Sequence, residues 1–295
     1  MLPTSTTQPA VAHPGPFDAL LPPEMAARAE EIGRAKAGMD ATSMFVLAIL
    51  AGAFIALGAM LFTTVMAGDA GQLPFGVMRL LGGIAFSLGL VLVIVGGAEL
   101  FTGNNLIVMG WAAGRIDSAQ LVRNWALVYA GNFVGAVLTA ALVYWSGQHE
   151  FGDGAVAQQA LAIGVAKCRL EFIHAVLLGV LCNALVCLAV WLTYSARTTA
   201  DRILAIVPPI TAFVAAGFEH SVANMYFLPL ALFIKYGSSL FGIGGDTTAD
   251  LSDLTWRSAL VDNLLPVTIG NVIGGAVLVG AVYWFVYLRD RSAAE

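Results

Sequence analysis

The sequence predicts an all-α membrane protein: six transmembrane helices in two inverted three-helix repeats, with the second and fifth spans broken. Three observations lead there: an apolar composition, charge-free windows of membrane-spanning length, and matched motifs in the two halves. Of 295 residues, 59% are hydrophobic and 11% charged, with a mean hydropathy of +0.82, well outside the range of soluble domains. Windows 41–68, 124–149, 172–196 and 263–288 contain no Asp, Glu, Lys or Arg. Each can cross a hydrocarbon core of about 30 Å as a helix of about 20 residues. The net charge of −5 comes with no basic stripe, and without clustered cations to neutralise phosphates nucleic acid is excluded as a partner.

Taken in order, residues 1–40 carry Pro3, Pro9, Pro14, Pro16, Pro22 and Pro23 and no apolar run behind a basic start. They are expected to remain as a cytoplasmic segment rather than a cleaved signal. Within it, Pro23 to Lys36 is rich in helix formers with Pro in the first turn, which predicts a short surface helix. A six-span transport domain follows over 41–288, its repeats covering about 41–148 and 170–288, and 289–295 form a cytoplasmic tail. Two spans are interrupted. Residues 80–98 are uncharged, Glu99 then opens LFTGNN, and an apolar stretch resumes up to Arg115; likewise 203–218 end at Glu219 and His220 before SVANMYFLPLALFI runs to Lys235. An ionisable residue at membrane depth is costly, and irregular backbone there is tolerated only in a protein interior or beside a cavity.

The halves repeat. Asn124 and Asn132 in the third span match Asn263 and Asn271 in the sixth, both 139 residues later, and Glu99 to Asn104 matches Glu219 to Asn224. Three crossings per half make the second half start on the opposite face, so the repeat is inverted, as in transport folds whose sites lie between paired broken helices. Arg28, Arg34, Lys36, Arg115, Arg123, Arg197, Arg202, Arg289 and Arg291 fall in segments that the positive-inside rule places in the cytoplasm, against Arg79, Lys167, Arg169, Lys235 and Arg257 outside. Trp125, Trp145, Trp191, Tyr194, Trp284 and Tyr287 near span ends suit interfacial belts. Cys168, Cys182 and Cys187 form no CxxC pair and are expected to be buried thiols. No cofactor or metal site is expected. The GxxxG run Gly131 to Gly135, Trp111 and His174 are expected to be packing or interface groups.

GGAELFTGNNLIVMGWAAGRI (96–116) and AAGFEHSVANMYFLP (215–229) resemble the two signatures of the formate/nitrite transporter family, and the resemblance extends from PFDALLPPEMA to DNLLPVTIGNVIGG. Within that family the chain is most similar to bacterial formate channels. The resemblance implies an aquaporin-like six-span protomer and a homopentamer with a separate pore in each protomer, in the bacterial inner membrane, passing formate, nitrite or a related weak-acid anion. It implies His220 as a central pore histidine with Thr102 as its partner, Phe86 and Phe213 as an outer constriction, and Leu90, Leu100 and Phe101 as an inner one. Lys167, Asn183, Glu219 and Asn224 match polar residues that draw anions inward and support the histidine. Gly103, Asn104, Asn105 and His174 depart from the pattern of the formate channels.

Physical chemistry gives a histidine there a task. A bare carboxylate in a dry constriction incurs a desolvation cost of tens of kcal/mol. Neutralising a weak acid of pKa near 3.7 at pH 7 costs only about 4.5 kcal/mol, and histidine is the side chain best placed to lend and recover that proton. Glu219 has an equally direct structural task, tying donors of the interrupted helix, and Lys167 one as a snorkelling charge. Two other classes remain open. His220 beside Ser221 suggests an intramembrane hydrolase, although adjacent residues seldom face each other and no GxSxG occurs. A neutral-solute or ammonium channel suits the architecture but not the absence of an NPA motif. The expectation is a transporter, not an enzyme, with formate and protons as its ligands.

Overall fold

The computed structural model describes residues 18–68, 73–241 and 250–292; Pro3, Pro9, Pro14 and Pro16, the side chain of Arg291 and tail residues 293–295 lie outside them. The chain forms α1 (Pro22–Ala37), α2 (Ala41–Met66), α3 (Phe75–Gly96), the single turn α4 (Val108–Ala112), α5 (Ser118–Trp145), α6 (Ala155–Cys168), α7 (Phe172–Ser195), α8 (Thr199–Ala216), α9 (Ser221–Phe241) and α10 (Ser258–Tyr287). Six of these, α2, α3, α5, α7, α8 and α10, are long and apolar enough to cross a membrane, and the chain is a multi-pass membrane protein. No strand occurs among the described residues.

Local chemistry sets the ends. The Asp40 carboxylate accepts from Ser43 N at 2.9 Å to start α2, and Asp117 with Gln120, and Thr198 with Asp201, form capping boxes on α5 and α8. α3 and α8 both stop at a glycine in the left-handed region, Gly97 and Gly217, each with φ of 78°, a conformation that costs L-residues with a Cβ. These two stops create the predicted breaks at Glu99 and at Glu219–His220.

The repeats close-pack through the same device twice. A Cβ on Gly135 of α5 would strike Ile49 O of α2, and one on Gly274 of α10 would strike Val180 O of α7. The predicted GxxxG run is therefore packing, and it has a counterpart at Gly270 and Gly274. α10 has wide i→i+5 turns over Ser258–Leu264 and Ile273–Ala281, and Gly274 lies in the second of these stretches.

Two features differ from expectation. After the first break the chain resumes as a 3-10 turn, Gly103–Ile107, and the five residues of α4, whereas after the second it continues as α9 for 21 residues. The sequence analysis also placed no helix over 155–168. With 14 residues α6 is too short to span, and it lies against α9, with Gly164 facing Ala231. α6 holds the place in the second half that α1 holds in the first: Lys167 follows Lys36 by 131 residues, and both bond to the glutamate of a break.

Candidate anion pathway

Each break is held by a network of buried amides, and the two networks match. In the first, Lys36 Nζ donates to Glu99 Oε1 at 2.7 Å and Asn104 Oδ1 at 3.0 Å, while Asn104 Nδ2 donates to Glu99 Oε2 at 2.7 Å and Asn124 Oδ1 at 3.0 Å. In the second, Lys167 Nζ donates to both oxygens of Glu219, at 2.8 and 3.0 Å, and Asn224 Nδ2 to Glu219 Oε2 at 2.6 Å and Asn263 Oδ1 at 2.7 Å. The second Asn of each span secures the loop backbone. Asn132 accepts from Phe101 N and donates to Glu99 O, both at 2.9 Å, and Asn271 does the same for Ser221 N and Glu219 O at 2.9 Å. Nonhelical backbone in the apolar interior is thereby satisfied, as its depth requires.

The breaks meet at one hydrogen bond. Thr102 Oγ1 lies 2.9 Å from His220 Nε2, and His220 Nδ1 accepts from Ala223 N at 3.0 Å at the start of α9. Because Nδ1 receives a backbone N–H, the neutral imidazole carries its proton on Nε2 and donates it to Thr102 Oγ1. The hydroxyl proton of Thr102 then remains free to be given to another acceptor. Thr102 is held from behind: its carbonyl accepts from Asn183 Nδ2 and Cys187 Sγ, each at 3.3 Å, and Asn183 Nδ2 also donates to Asn105 Oδ1 at 2.8 Å and Asn271 O at 2.7 Å. Thr102 and Asn183 are fully buried, and His220 is 3% exposed.

Two cavities flank this pair. One of about 170 Å³, lined by α1 residues, contains Leu90, Leu100, Gly103 and Asn104. The other, of about 190 Å³, on the α6 side, contains Phe86, Phe213, Lys167, Glu219, His220 and Asn224. The wall of the α6-side cavity carries an aromatic stack: Phe86 meets Phe213 edge-on at 5.7 Å, and Phe213 stacks on His220 at 5.9 Å. Phe62 packs against Phe86 at 6.5 Å and Phe227 at 5.8 Å, and Lys167 Nζ sits 5.4 Å from the centre of the Phe227 ring.

Of the residues singled out in the sequence, His220, Lys167, Glu219, Asn224, Phe86 and Phe213 share the α6-side cavity, and Leu90 and Leu100 share the α1-side cavity. Asn183 lines neither and instead anchors the Thr102 loop. Phe101 also lines neither; its ring packs against Tyr129 at 4.9 Å and Trp125 at 6.4 Å. Asn104 and Asn105, two of the departures, are buried members of the break networks, while His174 is exposed and lies 3.5 Å from Glu171. Both nitrogens of His220 are engaged elsewhere, so it does not activate Ser221, whose buried Oγ has no partner among the described residues. Lys36, read in the sequence only as an inner charge, and Cys187, read as a buried thiol, both belong to the site. The spacing Lys36 to Lys167 equals that of Ala48 and Gly179, whose carbonyls accept from Asn132 and Asn271, but the flanking residues RAKAG and VAKCR share too little to reveal it.

Comparison with known proteins agrees with this architecture. The family model described as formate/nitrite transporter matches residues 23–285. The formate channel FocA of Escherichia coli is 46% identical over 279 residues, covering 94% of this chain and 98% of that protein. The FocA of Haemophilus influenzae is 39% identical over 264 residues, covering 89% and 93%. A solved structure described as a pentameric formate channel with formate bound superposes with a TM-score of 0.78 at 43% identity, covering 84% of this chain and 98% of that one. With its paired breaks, matched amide networks and a family match over nearly its whole described length, this chain belongs to the formate/nitrite transporter family.

Proposed function

We propose that this chain is a channel for small monovalent weak-acid anions, formate first and nitrite second. In this reading it assembles as a homopentamer with one pathway per protomer, lies in the inner membrane of a bacterium with both termini cytoplasmic, and transports its substrate unchanged. The similarity to formate channels supports the substrate, and the excess of Lys and Arg in the segments joined to the termini supports the orientation. Residues 1–40 and 289–295 then lie in the cytoplasm, flanking the transport domain. The α1-side cavity is the inner vestibule and the α6-side cavity the outer one.

The observation that carries the mechanism is the Thr102–His220 hydrogen bond set between two cavities behind an aromatic stack. An anion reaching this point meets the Thr102 hydroxyl as a donor. The neutral His220 at rest is anchored at the N-terminus of α9, where the helix dipole disfavours a cation. A proton taken up on Nδ1 displaces the Ala223 N–H, and the approaching negative charge stabilises the resulting imidazolium. Passage of the Nε2 proton to Thr102 Oγ1, as the Thr102 hydroxyl gives its own proton to the anion, then yields the neutral acid, which crosses the apolar constriction far more cheaply than the carboxylate and releases the proton in the far vestibule. The imidazole recovers its resting tautomer by losing Nδ1–H and regaining Nε2–H from water.

The test is flux through purified protein in liposomes at pH 6 to 7. Formate, nitrite and acetate are expected to cross, and chloride, whose acid holds no proton in water, to be excluded or very slow. Equal formate and chloride flux would leave a simple anion pore. Glycerol or ammonium flux without formate flux would support the neutral-solute alternative.

A further inference from the structure

The lysines at the two mouths are already neutralised. Lys167 Nζ contacts both carboxylate oxygens of Glu219, and Lys36 Nζ contacts Glu99. An ion pair of this geometry has little field beyond its own dimensions, so neither lysine can give its mouth a net attraction for anions. Among the described residues, the lining of the α6-side cavity contains one further charged residue, Arg79, and Glu219 is its only carboxylate. The lining of the α1-side cavity contains Arg28 and Arg202 beside Lys36, and no carboxylate among the described residues.

Arg79 also meets a second electrostatic need. α8 ends at Gly217, and Val214 and Gly217 line the α6-side cavity, so the negative end of a helix dipole lies beside the path of an anion. Arg79 Nε donates to Ala215 O at 3.1 Å and its Nη2 to Val214 O, with the guanidinium 5.9 Å from the centre of the Phe62 ring. The guanidinium thus covers that helix end in the cavity that Phe86 and Phe213 also line.

We propose that the arginines, Arg79 at the α6-side mouth and Arg202 with Arg28 at the α1-side mouth, are the charges that recruit the anion, while Lys167 and Lys36 hold the breaks in shape. This rests on the anion-channel reading above. One net charge in a low-dielectric cleft changes local anion concentration by about three- to fivefold, and salt weakens the effect as the Debye length falls below about 10 Å.

The experiment measures initial formate uptake against formate concentration for reconstituted wild type, Arg79→Gln, Arg79→Lys and Arg202→Gln, at low and high sodium sulfate. Arg79→Gln is expected to raise the half-saturating concentration about three- to fivefold at low salt, with the difference shrinking at high salt. Arg79→Lys is expected to stay near wild type. The Arg202 side chain donates no hydrogen bond among the described residues, so Arg202→Gln isolates the charge effect from any loss of helix anchoring, and it is expected to show the same salt-sensitive shift even if Arg79→Gln fails to assemble. Unchanged half-saturation in Arg202→Gln, or an Arg79→Lys defect that ignores salt, would overturn the recruiting role while leaving the channel intact. Absent wild-type formate flux would overturn both readings.

Discussion

At the residue scale, the two nitrogens of His220 serve different partners, and that division makes its behaviour on substitution specific. Thr102→Val keeps the shape of the side chain and deletes the hydroxyl, so formate flux is expected to fall at least tenfold while the sizing profile in detergent stays that of the wild type. A Val variant with wild-type flux would remove Thr102 from the pathway. A second histidine supplies a control. His149 stands between α5 and α6, stacked on Tyr144 at 4.9 Å and 4.0 Å from Glu150, and burial holds its pKa below the usual histidine value. Its contribution to stability is in place above the unfolded value near 6.5 and is lost as pH falls toward the lowered folded one. His149→Gln is therefore expected to alter thermal stability below about pH 6.5 and to leave the pH profile of flux unchanged, as measured by melting and uptake over the same pH series. The sequence made His220 conspicuous because a break, a carboxylate and a family signature coincide there. It left the role of Arg79 hidden, since a side chain that reaches helix carbonyls 135 residues away makes no local pattern.

At the scale of elements, the breaks survive because their backbone is bonded to side chains of other helices, and this predicts where the fold is weakest. Asn271→Leu leaves Ser221 N and Glu219 O without their amide partner in a fully buried setting, a cost of at least about 2 kcal/mol. A lowered melting temperature of the assembled protein, with reduced assembly, is the expected result, and unchanged melting would show that α9 is held by packing alone. The helix starts titrate elsewhere. The backbone N–H of Ser43 keeps the carboxyl of Asp40 below the usual range, so its stabilisation is in place above about pH 4 and is lost as pH falls through the lowered folded value. Changes in flux between pH 5 and 8 do not originate in this cap. The six spans, both breaks and the Asn pairs were legible because spacing and charge interrupt a hydrophobic run visibly. The place of α6 was not, because a 14-residue helix of mixed polarity between two spans looks like any extramembrane connection.

At the scale of the molecule, an inverted repeat gives two mouths of related construction facing one asymmetric centre. The break networks are nearly equivalent, but only the second half contributes a histidine and only the first a threonine, so the pseudo-symmetry ends at the Thr102–His220 bond. The sequence reached this far by matching halves; what it could not give was the compensation of each lysine by its glutamate, which depends on contacts across 63 and 52 residues. The central claim is that the anion crosses as its neutral acid, with His220 handling the proton. The most direct measurement follows proton and formate movement together, with a pH dye trapped in liposomes carrying wild type or His220→Asn. The account predicts that formate entry acidifies the lumen of wild-type vesicles in proportion to flux and depends on pH, and that both the acidification per formate and the pH dependence are lost in an assembled His220→Asn protein. An assembled variant that keeps the wild-type proton movement and pH profile would contradict it.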